Sequence, residues 1–237
     1  MQRIGILGGL SAESTTYYYE RITRGYIRRF GKPRYPEIII YSVTFDEYAR
    51  WQERGEWDRS AEHMAACIQK LALAGADFAL IASNTMHLVL PAVAARVPIP
   101  ILSIVDCVAG SIRAAGLDRV ALLGTIFTMT QAFYPEGLAQ HGIECLVPDK
   151  RERALVNRVI YQELVRGAIS DESRAAYLEV VDGLARQGAQ GVIIGCTEIP
   201  LLLRQEDTFL PLFDSAAIHA DAALERALGD VGLEART

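Results

Sequence analysis

The chain has 237 residues, enough for one large α/β domain or two smaller lobes around a buried core. Hydrophobic residues make up 51% and charged residues 22%, which excludes a disordered or fibrous chain. Lys+Arg number 24 against 29 Asp+Glu, and the resulting net charge of -5 gives no compositional support for a nucleic-acid groove or an anionic-membrane surface.

Short aliphatic runs alternate with longer amphipathic stretches. In chain order the predicted elements are strand Arg3–Leu7, helix Ser14–Phe30, strand Glu37–Ser42, helix Trp57–Ala74, strand Phe78–Ala82, strand Ile101–Ile104 and helix Asp106–Ala115. They continue as strand Val120–Leu123, helix Thr130–His141, strand Gly142–Val147, helix Arg153–Gln187, strand Gly191–Ile194 and strand Phe209–Phe213. Continuously apolar strands separated by helices specify a parallel sheet covered on both faces. In such folds functional groups gather where strand C-termini meet the following helices. No apolar run is long enough to cross a bilayer, and the apolar stretch in MQRIGILGGLSAE is too short for a signal peptide. Cys67, Cys107, Cys145 and Cys196 show no CxxC spacing, so reduced thiols in a cytoplasmic protein are expected.

An internal repeat organises these elements. Arg3–Gly8 (RIGILG) aligns without gaps to Arg119–Gly124 (RVALLG), and Gly75–Thr85 (GADFALIASNT) to Gly188–Glu198 (GAQGVIIGCTE). A weaker third match sets Ile101–Asp106 against Phe209–Asp214; the three offsets are 116, 113 and 108. Three matches in the same order indicate a duplicated lobe. Equivalent strand ends of two such lobes are expected across a shared cleft, where Ser83 of one copy corresponds to Cys196 of the other. Two groups serving opposite faces of one carbon suit a racemase or epimerase, in which one removes a proton and the other returns one.

The strongest chemical segment is Val192–Pro200, VIIGCTEIP. Cys196 there ends a buried strand and opens a helix, whose N–H groups and dipole are expected to lower a thiol pKa that starts near ~8.5. The other three cysteines sit in helix or strand patterns without polar company and read as core. In Leu80–His87 (LIASNTMH), Asn84 and Thr85 offer donors for a carboxylate, although Ser83 or Asn84 could simply cap the helix. His87 reads equally as an orienting residue or a packed surface histidine. Ser11, Thr125 and Thr128 supply hydroxyls at the two glycine-rich strand ends, with helix capping as the plainer role.

Other chemistries find less support. Ser83 with His87 as base lacks a G-x-S-x-G elbow, and Gly5–Gly9 lacks the full dinucleotide fingerprint. His63 and Cys67, at i,i+4, read as one helix face rather than a metal site. No lysine (Lys32, Lys70, Lys150) falls near the strand-end loops, as a pyridoxal phosphate Schiff base would require. A mechanism without cofactor or metal is expected.

The ordered set GILGGLSAEST, SNTMH, GTIFTM, IIGCTEIPLLL and FDSAAIHADAAL resembles the aspartate/glutamate racemase family over nearly the whole chain. The resemblance implies two similar α/β lobes, each a mostly parallel sheet flanked by helices and related by internal pseudo-symmetry. It also implies racemisation of a small dicarboxylic amino acid without pyridoxal phosphate or metal, and a homodimer. Lobes of 1–105 with 214–237, and 106–213, are expected, with the active site in the cleft between them. Carried over by position, Cys196 matches the second catalytic cysteine, with Thr197 and Glu198 beside it. Asn84, Thr85, Thr125 and Thr128 match substrate-binding positions, and Leu10 and Ser11 match glycine-rich loop contacts. Gln52, in RWQERGEWD, resembles a segment reaching over the substrate, and Arg166, in QELVRG, a basic position that pairs the side-chain carboxylate.

Ser83 departs from the pattern, which places a cysteine there. A serine hydroxyl is far less acidic than a thiol, so an asymmetric racemase is expected, slow on the Ser83 side. A one-cysteine decarboxylase and a non-catalytic acidic-amino-acid binding protein are the alternatives.

Overall fold

The computed structural model describes residues 1–229. The chain divides into two compact units, residues 1–103 with 219 onward, and 104–218.

In the first unit, β1 (Ile4–Gly8), α1 (Ala12–Phe30) and β2 (Ile38–Ser42) are followed by α2 (Phe45–Glu53) and α3 (Trp57–Leu73). Next come β3 (Phe78–Ile81), a 3-10 turn over Thr85–Val89, α4 (Leu90–Ala94) and β4 (Ile101–Leu102). The sheet order is β2-β1-β3-β4, every pair parallel. Parallel strands must be covered on both faces, and β1 and β3 are buried along their whole length. Leu7, Ala79 and Ile81 pack with Met64, Ile68 and Leu71 of α3.

The second unit repeats the plan with α5 (Ile104–Ala114), β5 (Arg119–Gly124), α6 (Ile126–Thr130), α7 (Phe133–Ala139) and β6 (Glu144–Leu146). It continues with α8 (Lys150–Gln162), a turn at Leu164–Arg166, α9 (Asp171–Arg186), β7 (Val192–Gly195) and β8 (Leu212–Asp214). Its sheet order is β6-β5-β7-β8, again all parallel. Helix α10 (Ser215–Leu228) then carries the chain from the second unit back into the first. Of the 214–237 segment expected in the first lobe, α10 is described to Leu228, and residues 230–237 lie outside the described residues.

Ladder registers confirm two of the three repeat matches. Gly5 pairs with Ala79 in one sheet as Ala121 pairs with Val192 in the other, as offsets of 116 and 113 require. The likeness extends to side chains. Gly75 and Gly188 hold φ of +100° and +99°, each with an arginine guanidinium (Arg3, Arg119) lying where a Cβ would point. Only glycine takes that backbone conformation without strain. The third match is out of register. Ala79 and Leu80 pair with Ile101 and Leu102, whereas Val192 and Ile193 pair with Leu212 and Phe213, so Ser103 rather than Asp106 corresponds to Asp214. Asp106 instead accepts from His141, and Asp214 caps α10 by accepting from the Ala217 N–H.

Two long predicted helices are broken. Arg153–Gln187 splits at Gly167, whose φ of 73° closes the turn after α8. Ser170 then caps α9 by accepting from the Ser173 N–H. Thr130–His141 becomes α6 and α7, separated where Gln131 turns extended. The Ile101–Ile104 and Phe209–Phe213 strands are also shorter, because Ile104 already belongs to α5 and β8 begins at Leu212. Helix α2 lies where no element was predicted, its buried surface reduced to Tyr48.

Helix α10 is tied to α1 by Arg21–Asp221 and Arg29–Glu225 ion pairs. Such part-exposed pairs contribute at most about 1 kcal/mol each. Burial of Ala220, Ala223, Leu224 and Ala227 on the same helix stabilises it more, at roughly 25 cal/mol per Å² of apolar surface. His219, fully buried on this helix, has its pKa pushed down to about 3 by burial and by the neighbouring His87. An unfolded histidine titrates near ~6.5. Between those values only the unfolded chain takes up the proton, so stability present above about pH 6.5 is lost as pH falls. We expect His219→Gln to flatten the fall in unfolding free energy between pH 6.5 and 4.5 by up to ~1.4 kcal/mol per unit relative to the native chain. Urea titrations at several pH values check this; parallel slopes for the two proteins would contradict it.

Candidate active site

Strand register assembles the candidate residues in each unit. In the second unit Gly124 pairs with Gly195, so Thr125 and Cys196 follow at adjacent strand ends. Cys196 is partly exposed. Its S–H donates to Glu198 Oε2 at 2.8 Å, and the Thr197 hydroxyl donates to the same oxygen at 3.0 Å. Burial pushes the thiol well above its ordinary range, and the charge of Glu198 and its bond to the S–H push it further. The Thr197 and Glu198 N–H groups, which favour a thiolate, act in the opposite direction and are outweighed. The expected lowering of this pKa is therefore reversed. The helix invoked for it is a three-residue 3-10 turn, Ile199–Leu201, with too few aligned peptides for a strong dipole. Cys196 keeps its proton on sulfur and directs it at the Glu198 carboxylate.

Thr125 is the N-cap of α6, accepting from the Thr128 N–H at 3.3 Å, with the two hydroxyls 3.1 Å apart. Thr128 is fully buried and braces Thr125 from inside. The Asn157 side chain of α8 accepts from the Ile126 N–H at 2.8 Å, fixing the same loop. One helical turn on, Tyr161 has its hydroxyl pKa raised by burial, and it lies near enough to Glu198 for that carboxylate's charge to add to the rise. Sequence reasoning singles out neither residue; the available signal is their i,i+4 spacing on one helix face. Arg166 is exposed in the turn after α8.

In the first unit Leu7 pairs with Ile81, which sets the loops after β1 and β3 side by side. Leu10 is buried, and Ser11 caps α1 by accepting from the Ser14 N–H at 3.1 Å. Gly9 N–H donates to Thr15 Oγ1 at 2.8 Å, closing the loop. Ser83 is partly exposed, while Asn84 and Thr85 are buried. The Met86 N–H lies 3.5 Å from Ser83 Oγ, at the limit of a hydrogen bond, so capping holds this side chain weakly. Gln52 turns inward from α2 and donates to Met86 Sδ at 3.2 Å.

His87 is buried, not on the surface. Its Nδ1 lies 2.8 Å from the Ser83 carbonyl. A carbonyl can only accept, so Nδ1 carries the proton and cannot serve as base for the Ser83 hydroxyl. That contact fixes Nδ1 as a donor and leaves Nε2 as the ring's other nitrogen, while the serine-nucleophile reading still lacks its G-x-S-x-G elbow. His63 and Cys67 share a face of α3 beside the Tyr48 hydroxyl, which is 2.9 Å from His63 Nδ1. Among the described residues no group of three or more His, Cys, Asp or Glu could hold a metal ion, and no helix is long and apolar enough to cross a membrane.

Residues 7–223 match the Asp/Glu/Hydantoin racemase family model. A candidate Asp/Glu racemase from Yersinia pestis is 43% identical, superposing with a TM-score of 0.92 over 97% of this chain and 100% of that one. An aspartate racemase homologue from Pyrococcus horikoshii OT3 is 38% identical, with a TM-score of 0.86 over 97% and 100% of the two chains. The broad specificity amino-acid racemase RacX of Bacillus subtilis (strain 168) is 26% identical over 230 residues, 93% of this chain and 96% of its own. With the two parallel sheets and the strand-end thiol, these matches define an isomerase of the amino-acid racemase class. The chain belongs to the Asp/Glu/hydantoin racemase family.

Because the Glu198 charge raises the Cys196 pKa, Glu198→Gln should lower it. Peptide-resolved mass spectrometry of iodoacetamide labelling should show the Cys196 labelling curve shifted to lower pH in this variant. An unchanged curve would mean that Glu198 does not control the thiol.

Proposed function

We propose that this protein racemises aspartate or glutamate without a cofactor, with Cys196 and Ser83 as its two proton-transfer groups. The 2.8 Å contact between the Cys196 S–H and Glu198 carries this reading. It supplies a thiol with a proton acceptor already in place. The identity to an aspartate racemase homologue, 38% over nearly the whole chain, supports an acidic substrate.

The desolvated thiol is a poor base until it loses its proton. Glu198 Oε2 accepts that proton, and the Thr197 and Glu198 N–H groups solvate the thiolate that remains. The thiolate takes the substrate α-proton, and the released electron pair moves into the neighbouring carboxylate. Donors such as the Thr125 hydroxyl and the loop N–H groups offset that developing charge. Ser83, at the equivalent position of the internal repeat, gives a proton to the opposite face and recovers one from water. A serine hydroxyl yields its proton less readily than a thiol, so this transfer is the slower of the two.

The test follows α-proton exchange in D₂O by NMR with each enantiomer of aspartate and glutamate, and inversion by chiral chromatography. Native enzyme should exchange and invert at least one acidic amino acid. Cys196→Ala should reduce exchange of one enantiomer by about a hundredfold or more, the usual scale of a lost acid/base group. Ser83→Cys should speed inversion. Native rates in Cys196→Ala would remove Cys196 from the chemistry, and no exchange with any of the four substrates would remove the racemase reading for acidic amino acids.

A further inference from the structure

The proton-transfer scheme leaves unused a chain of buried polar rings in the first unit. Tyr18, His219 and His87 are 1%, 0% and 3% exposed. Burying such groups is unfavourable unless each finds a partner. His219 Nε2 lies 3.0 Å from the Leu102 carbonyl and must donate to it, which leaves Nδ1 as an acceptor. The Tyr18 hydroxyl, 2.9 Å away, donates to that nitrogen. The His219 ring meets His87 edge to face at 5.7 Å, and His87 donates through Nδ1 to the Ser83 carbonyl at 2.8 Å. The His219 imidazole is thereby held as a defined neutral tautomer, and His87 is fixed as a donor at Nδ1. Their bonds end on the main chain just past β3 and at the end of β4, two strands paired through Leu80 and Leu102.

The second copy of the repeat lacks this device. The offset of 113 that aligns Ser83 with Cys196 aligns His87 with Pro200, which has no side-chain donor. Cys196 is instead held through its own thiol by Glu198. Ser83 has no comparable side-chain anchor, because its contact with the Met86 N–H is 3.5 Å long. Where the side chain is weakly held, the direction of its Cα–Cβ bond depends on the main chain.

We propose that His87 is the positioning residue for Ser83, fixing its main chain through the carbonyl, with the Tyr18–His219 pair bracing the His87 ring. This rests on the racemase reading, in which Ser83 is the second proton-transfer group. A hydroxyl replacing a thiol has the shorter reach, so small rotations of this peptide change its rate of proton transfer. Misplacements on the ångström scale reduce rates by up to ~100-fold.

The experiment compares exchange of the α-proton in each starting enantiomer, with Ser83→Ala identifying the enantiomer that depends on Ser83. His87→Phe should reduce that exchange by about tenfold or more, while exchange of the enantiomer that depends on Cys196 stays within about threefold. His87→Asn, which retains an N–H donor near the carbonyl, should recover part of the loss. Both rates come from one sample, so their ratio is independent of any loss of folded protein. Equal losses for the two enantiomers, or no loss, would overturn the proposal. Native enzyme that exchanges neither enantiomer would overturn the racemase reading instead. In that event ¹⁵N NMR still decides the contact, since a protonated Nδ1 on His87 supports it and a protonated Nε2 overturns it.

Discussion

Removal of water from the ends of parallel strands is the constraint on which the chemistry of this fold depends. A sheet covered by helices on both faces delivers its strand ends into low-dielectric surroundings, where an ionised side chain is unfavourable and a hydrogen-bonded neutral one is stable. Cys196 shows the outcome, as a thiol kept protonated by burial yet 2.8 Å from a carboxylate able to take its proton. His219 shows the same physics in a base, held neutral by burial and satisfied by a carbonyl and a tyrosine hydroxyl. In both cases polarity survives inside the fold because each donor has one assigned acceptor.

Much of this architecture is readable from residue order. Apolar strands written as uninterrupted runs are the mark of a doubly covered parallel sheet, and each of the eight predicted strands overlaps an observed one. The repeat is legible where glycines and arginines hold an unusual backbone, as at Gly75 and Gly188. Its third match falls out of register because a strand of only two residues, Ile101–Leu102, carries too little pattern to fix the pairing. Breaks inside amphipathic stretches escape sequence reasoning for a related reason. Apolar residues continue across both breaks, and the local markers between α8 and α9 are single residues, Gly167 in the turn and Ser170 at the N-cap.

The candidate site is legible as a set of residue types but not as an electrostatic system. Sequence places Cys196, Thr197 and Glu198 together, yet the sign of the thiol shift depends on burial and on the length of the following helix. Neither is written in the motif. His87 is ambiguous for the same reason, since a histidine one turn past a strand end can face either way. Its ring neighbour His219, on α10, and the Tyr18 of α1 that bonds to His219 lie 132 and 69 residues away along the chain, beyond the reach of local pattern.

The path of the chain through α10 has a consequence for how the two units can be separated. The second unit is one uninterrupted stretch, residues 104–218, inserted into the first, whose opening strand and closing helix stand at opposite ends of the sequence. The Gln2 N–H donates to the Ala227 carbonyl at 2.8 Å, which joins those ends within a single hydrogen-bonded body. Only the second unit can therefore be excised with two cuts as a linear fragment. The first becomes a continuous polypeptide by splicing Ser103 directly to His219, or by circular permutation that links the two original chain ends and leaves the new termini at Ser103 and His219.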